Sequence, residues 1–526
     1  MLKLAGFAAA MTLTVSAADA APPAGFEQRV EQLRQAYGVP GVTIAIVENG
    51  QPTLAHGWGV RTVGTTEPVG ADTIFFTGST GKAFTVAALA TLVDAGKIKW
   101  DDKVIDHMPD FRMWDPWVTR EMTIRDLLVH RSGLGLGEGD LLFVPNSDLS
   151  RKETVRRIRY LKPATSFRSA YAYDNILYMA AGQLIEEVSG ETWEQYVRRH
   201  VFAPLGMNHS TVSDAEYQAD PDRAHPHGRA DGPIVGLGTQ KPLDESATLS
   251  QNSAPAGGLA ISANDMTRWL LTQLGHGKIP GGDKRLFSEE QSTQMWNPVT
   301  PQPISNYPSQ FDVTEPHFYL YGLGWDVQDY RGAKLIWHGG AVFGSLAAVA
   351  LLPDQNVGIY VAVNSEEGEV VRGLMYELLD HYLGQPQGHW PEKFHDFKLG
   401  RLNAAAKEVQ KAAATPAKVG TSLPLERYAG DYADPWYGTI KVRQSGKGLT
   451  IDFPHSTGMS GALTHYQYNT FRTNPSLKWI EPAYVTFSLD ADGKVDRVTM
   501  KPVSPAADFS FDYQDLLFTP IAASAQ

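Results

Sequence analysis

Ser79 and Lys82 are the residues of this chain whose types and spacing first suggest chemistry. Residues three apart share one face of a helix. Ser79 would sit at a helix N-terminus, where free backbone N–H groups and the positive end of the dipole favour developing negative charge. A lysine in dry surroundings loses proton affinity, because burial disfavours its charged form. Lys82 could then take the hydroxyl proton of Ser79 and make it a nucleophile. Of all the lysines, only Lys82 has a serine three residues before it. About one such pair is expected by chance from composition. The competing explanation is a capped core helix with a snorkelling lysine, so other residues must decide.

Two further clusters could complete a site. Tyr173-Asp174-Asn175 is the one place where Tyr is followed two residues later by Asn. A nearby ammonium would lower the pKa of a phenol, so Tyr173 could share the base role and return a proton to a leaving amine or alcohol. Asn175 could hold Lys82 and a substrate amide, since its side chain both donates and accepts. Alone, a buried aromatic beside a capping Asn explains the same residues. His338-Gly339-Gly340-Ala341 reads as part of a strand whose glycines let another backbone lie close. The Ala341 N–H could pair with that of Ser79 as an oxyanion hole, worth roughly 3–4 kcal/mol per donor. His338 could orient the substrate or Tyr173, or it could be a surface histidine beside a glycine bulge. His130 could be catalytic, but reads more readily as a loop-shaping hydrogen-bonding residue. His225 and His227 lack a third ligand at a recognisable spacing and read as part of a solvated loop. No metal or organic cofactor is implied.

These residues need elements to hold them. Ser79 to Lys97 is apolar on every side, which predicts a helix buried in a large domain and ended by Gly96 in the left-handed conformation. Phe26, Val30, Leu33 and Tyr37 predict an amphipathic first helix. Val42 to Val47 reads as a strand, turned at Asn49-Gly50 into a second one. Thr123 is placed to cap a helix that begins with Thr123 to Leu128 and ends at His130-Arg131-Ser132-Gly133, and another runs from Ile176 to Val188. Residues 214–250 read as a long surface excursion. A helix runs from Ser262 through Leu274. Leu335 to His338, Leu346 to Leu352 and Val357 to Val363 follow with short turns, as antiparallel strands do. Glu369 to Leu383 closes this region as a helix. Gly384 to Leu423, rich in Pro, Gly, Ala and Lys, reads as a linker with an Ala-rich helix near Leu402 to Ala414. Beyond Leu425, short strands with Gly turns predict a small β-barrel or sandwich of about a hundred residues.

Composition narrows the function. With 526 residues, 43% of them hydrophobic, the chain can bury large cores. A formal charge of -12 argues against nucleic acid as a partner. The chain has no cysteine, which excludes disulfides and thiolate chemistry. Lys3, the apolar run Leu4 to Ala18 and the small-x-small Ala18-Asp19-Ala20 read as a signal peptide cut after Ala20, so a soluble periplasmic or secreted protein is expected. No other segment approaches a membrane span. The expected division is a leader over 1–20, a catalytic domain over 21–384, a linker over 385–422 and a barrel over 423–526.

The order Ser79-x-x-Lys82, Tyr173-x-Asn175, His338-Gly339-Gly340 resembles the serine β-lactamase and penicillin-binding protein superfamily, and the Tyr resembles its class C β-lactamase branch. Leu127 to Leu134, Pro204-Leu205-Gly206-Met207, Gly257-Gly258-Leu259 and Tyr321 to Trp325 are similar to the same branch, over roughly residues 26–384. The resemblance implies an α+β fold, an antiparallel sheet flanked by helices beside an all-helical subdomain, with the site in the cleft between them. It implies Ser79 as the acylated nucleophile, Lys82 as its base partner, Tyr173 as the residue activating water or leaving group, and Asn175 as a substrate-amide contact. His338 stands where β-lactamases carry the Lys of Lys-Thr-Gly, which helps bind a substrate carboxylate. Efficient β-lactam hydrolysis is therefore not expected, and esterase and peptidase relatives commonly carry His there. The stretch with Tyr428-Ala429-Gly430-Asp431-Tyr432 is similar to lipocalin-like domains attached to peptidases of this branch, which implies that it leans on the cleft and limits substrate size. The layout also resembles peptidases that cut linearised microcystin. The expectation is a serine hydrolase acting through an acyl-enzyme on short or unusual peptides. A carboxylesterase, a D-aminopeptidase and a cell-wall D,D-peptidase are the rival enzymes; a β-lactam sensor or wall-binding module is the non-enzyme rival. No Gly-x-Ser-x-Gly elbow and no His-Glu-x-x-His occurs.

Overall fold

An amphipathic helix, α1 (Phe26–Tyr37), covers one face of an antiparallel sheet, and a wholly apolar one, α2 (Lys82–Asp94), is buried on the other side. This computed structural model describes residues 22–244, 250–304, 308–414 and 419–521. The leader expected over 1–20 lies outside them.

The sheet has eight strands: β1 (Gly41–Glu48), β2 (Gln51–Gly59), β3 (Thr300–Pro301), β4 (Tyr319–Tyr321), β5 (Asp326–Tyr330), β6 (Ala333–Val342), β7 (Ser345–Leu352) and β8 (Val357–Val363). Their order in space is β2-β1-β8-β7-β6-β5-β4-β3, so the N-terminal hairpin pairs with the last strand in sequence. Every residue of β8 is buried. Ile359, Val361 and Val363 pack towards α1, while Tyr360 and Ala362 face the α2 side. That is the period of two expected of a strand, hidden here because helices cover both faces. The helices α3 (Ile176–Ser189) and α4 (Ala263–Leu274) pack on the α2 side, and α5 (Gly368–Tyr382) lies beside α1.

Five local expectations need correction. Ser79 is not in α2 proper; it lies in a single 3-10 turn, Gly78–Gly81, that leads into it. The helix expected from Thr123 is a short 3-10 turn, Arg125–Leu128, entered through a reciprocal pair: the Asp126 N–H donates to Thr123 Oγ1 at 3.3 Å, and the Thr123 N–H and hydroxyl donate to the buried Asp126 carboxylate. The region 214–250 holds a helical turn, Asp214–Ala219, and paired segments His227–Arg229 and Gln240–Pro242. Within it His227 is fully buried, bonded to the Val63 N–H and the Asn364 carbonyl, so it shapes the fold rather than sitting in solvent. The Ala-rich helix begins well before Leu402, as α6 (Trp390–Ala414), because Trp390 is buried with its N–H on Asp380 at 2.7 Å.

Leu402, Ala405, Ala406 and Val409 of α6 pack on Ile234 of the sheet-and-helix region and on Val503 and Ala506 of the C-terminal region. The C-terminal strands, β9 (Gly430–Asp434), β10 (Gly438–Ser445), β11 (Gly448–Asp452), β12 (Gly461–Gln467), β13 (Thr470–Pro475), β14 (Ala483–Leu489), β15 (Val495–Pro502) and β16 (Leu517–Pro520), form a closed barrel. Closure leaves no sheet edge exposed. Among the described residues no helix is long and apolar enough to cross a membrane.

Candidate active site

The 3-10 turn at Gly78–Gly81 explains how Ser79 meets Lys82. Side chains three apart eclipse one another in a 3-10 helix, and Lys82 Nζ lies 3.0 Å from Ser79 Oγ. Gly78 has φ +52°, and a Cβ there would stand 2.4 Å from the Ala341 nitrogen. A Cβ on Gly340 would lie 1.9 Å from the Thr77 carbonyl oxygen and 3.2 Å from the Ser79 nitrogen. The two backbones therefore touch, with β6 laid across the serine turn. This puts the Ser79 and Ala341 amides on neighbouring segments, with Gly339 and Gly340 half-buried and Ala341 exposed.

Lys82 is fully buried and donates to the Asn175 Oδ1 at 2.7 Å and to the Ala256 carbonyl at 2.9 Å. Burial lowers its pKa to about 7, against the opposing pull of Asp140 and Asp174. Both carbonyl oxygens can only accept, so they take two N–H groups, and the third position of Nζ faces the Ser79 hydroxyl: an N–H in the ammonium, the lone pair in the neutral amine. Asn175 does not cap α3, because its amide is shared between Lys82 and Asp140.

Tyr173 is close to both groups: Lys82 Nζ stands 4.7 Å from the centre of its ring. Its buried hydroxyl lies near Ser79 but makes no hydrogen bond of good geometry among the described residues. The expected lowering of the phenol's pKa does not occur. Burial raises it well above the usual value and outweighs the effect of Ser79. Tyr173 is thus a neutral phenol.

His338 is buried, not on the surface. Burial, helped by Lys82, lowers its pKa to about 3, so the ring is neutral. Nδ1 lies 2.6 Å from the Gly339 carbonyl and must carry the proton, so Nε2 accepts from the Tyr321 hydroxyl at 2.8 Å. The ring is 6.2 Å from that of Tyr173, and its hydrogen bond goes to Tyr321 instead. His130 is buried as well, its Nδ1 accepting the Asp174 N–H at 3.1 Å and its ring 4.2 Å from Tyr173. It shapes the loop and also walls the phenol. Among the described residues no three His, Asp or Glu side chains gather as a metal site.

Several neighbours had no signal in the sequence. Asp140 Oδ2 accepts from Asn175 at 2.9 Å, and burial raises this carboxyl to about 8. Phe509, exposed on a loop of the barrel, stands 6.2 Å from Tyr173, edge to face. The same loop lines a cavity of about 870 Å³ with Gly135, Leu136, Val409 and Lys501. Each of these residues is ordinary in type, and the barrel ones lie more than three hundred positions from Tyr173. Only the fold unites them.

A hydroxyl, an amine and a phenol, gathered where a buried helix meets a glycine strand, define the serine β-lactamase and penicillin-binding protein class. Residues 26–383 match the family model described as Beta-lactamase, and the chain belongs to this family, whose members are serine hydrolases. Residues 414–520 match a model described as a domain of unknown function, DUF3471. The chain is similar to the Unguisins hydrolase ungD of Aspergillus violaceofuscus, 28% identical over 448 residues, covering 81% of this chain and 77% of that protein. It is also similar to Penicillin-binding protein 4 of Amycolatopsis lactamdurans, 28% identical over 375 residues, covering 70% and 92%. Among solved structures, the octameric penicillin-binding protein homologue from Pyrococcus abyssi shares the fold, with a TM-score of 0.58 and 21% identity over 91% of this chain and 97% of that one.

Proposed function

We propose that the chain is a peptidase or amidohydrolase that works through an acyl-enzyme on Ser79. The observation that carries this reading is the set of partners around Lys82: two carbonyl oxygens and the serine hydroxyl. They hold Nζ against the hydroxyl, and burial, which lowers its pKa to about 7, supplies the neutral amine that accepts the Ser79 proton as Oγ attacks a substrate carbonyl. The amides of Ser79 and Ala341 would hold the oxyanion. Tyr173, a neutral phenol, gives its proton to the leaving nitrogen, and the Lys82 ammonium reprotonates it. Water then attacks the acyl group, with the same residues as base. Family kinship with a named hydrolase supports hydrolytic turnover. Phe509 above Tyr173 supports a short or constrained peptide, linearised microcystin among the possible ones. The leader read at residues 1–20 supports export.

The test is mass spectrometry of the whole protein after a fluorophosphonate or penicillin, joined to a peptide-library digest. Turnover of peptides that is lost in Ser79→Ala, with the phosphonate mapped to Ser79, supports the reading. Esters cleaved but peptides spared would make it a carboxylesterase. A stable penicillin adduct without turnover would make it a sensor. No adduct at Ser79 would end the proposal.

A further inference from the structure

The barrel sends the loop between β15 and β16 into the back of the site. Ser510 on that loop donates its hydroxyl to Asp140 Oδ2 at 2.9 Å. The same oxygen accepts Asn175 Nδ2 at 2.9 Å, and Asn175 Oδ1 accepts from Lys82 at 2.7 Å. Hydrogen bonds in series therefore run from the barrel to the amine beside Ser79. Two residues further on, the buried Asp512 accepts the N–H groups of Gly139 at 2.7 Å and Leu141 at 3.0 Å, which flank Asp140. Both sides of Asp140 are thus fixed by the C-terminal region.

An Asn side chain has one accepting and one donating end, and its two rotamers look alike in shape. Lys82 needs the oxygen. Only an acceptor at the other end secures that orientation, and Asp140 is that acceptor. We infer that Ser510 is a positioning residue: its hydroxyl, supplied by the barrel, holds Asp140 so that Asn175 turns its oxygen to Lys82. This rests on the base role proposed for Lys82. The barrel would then be a working part of the catalytic site as well as a wall limiting substrate size.

The charged and titratable groups facing this chain come from several elements. Lys82 is on α2; Tyr173 and Asp174 precede α3; Asp508 and Asp512 are on the barrel loop; His130 and His338 close the far side. The Ser510 hydrogen bond favours the ionised Asp140, which in turn favours the Lys82 ammonium. Removing it should weaken the positioning and move the acid limb of reactivity to lower pH.

The experiment follows the rate of Ser79 phosphonylation by a fluorophosphonate across pH, by intact mass, in the full chain. Ser510→Ala is expected to slow the plateau about tenfold, a part of what a general base contributes, and to shift the acid limb downwards. Ser510→Thr, which keeps the hydroxyl, is expected to restore both. Ser510→Ala reacting at the wild-type rate with the wild-type limb would overturn the inference alone. So would a loss that Ser510→Thr fails to repair. A wild-type protein that is never labelled at Ser79 would overturn the base reading, and this inference with it.

Discussion

Lys82 is the residue on which the proposed chemistry turns, and its behaviour is open to measurement. Burial lowers its pKa to about 7, so reactivity at Ser79 should rise as pH rises through that value and the amine loses its proton. Lys82→Ala should cut the rate by about 10²–10⁴ and remove that limb, the range for losing a general base. The same shift links to stability. Between about 7 and the ordinary lysine value the unfolded chain holds the proton more tightly, so the Lys82 contribution to stability grows with pH over that window. Tyr173, held as a neutral phenol, predicts a different signature. In Tyr173→Phe, amide hydrolysis should fall by about 10² or more, while a p-nitrophenyl ester, whose leaving group needs no proton, should lose much less. Equal losses on both substrates would take the phenol out of leaving-group protonation.

The serine turn and the glycine strand work as one element, because their backbones are in contact. Gly340→Ala places a methyl 1.9 Å from the Thr77 carbonyl, so strand or turn must move. The expected outcome is a loss of phosphonylation of about tenfold or more, since misplacing a reacting group by an ångström has that order of cost. Gly339→Ala has more room, its Cβ meeting only the Trp337 ring at 3.7 Å, and should lose much less. Much of this element was legible: Ser79, Lys82, Tyr173 and the two glycines fall in ordered motifs, and α2 declares its burial by lacking charge. The winding of Ser79 into a 3-10 turn was not, because it is set by β6 pressing on Gly78. Nor was the partner of His338, since Tyr321 is two strands away on β4 and bonds it past β5. Asn175 was read as a partner for Lys82, ninety-three residues away, and donates as well to Asp140, which no spacing in the sequence announces. The long helix α6 was obscured by the Pro and Gly before Trp390, whose burial against Asp380 starts it.

The β-lactamase-like region and the barrel are joined by aromatic contacts, Phe343 with Trp479 at 4.5 Å and with Phe511 at 5.5 Å. They also share carboxyl groups. Glu481 of the barrel is buried with one oxygen unpaired, and burial, with Glu366 and Asp508 adding repulsion, raises it to about 7. The folded state therefore binds this proton more tightly between the ordinary carboxyl value and about 7, and that stability is lost as pH rises across the window. Glu481→Gln should gain stability over wild type at pH 8 and lose the advantage near pH 5, changing by at most about 1.4 kcal/mol per pH unit. A gain independent of pH in denaturant melts would refute this. The main sheet has a consequence of another kind. Glu48 is paired with Val357 and Val42 with Val363, so the first strand of the chain waits for the last one of its sheet. A ribosome must release nearly the whole catalytic region before that strand finds its neighbour, and closing such a distant contact is slow. Until then β1 is a naked apolar edge able to template clumping, so truncated or stalled chains ending before residue 357 should go to inclusion bodies, and a holding chaperone should raise the yield of the intact protein.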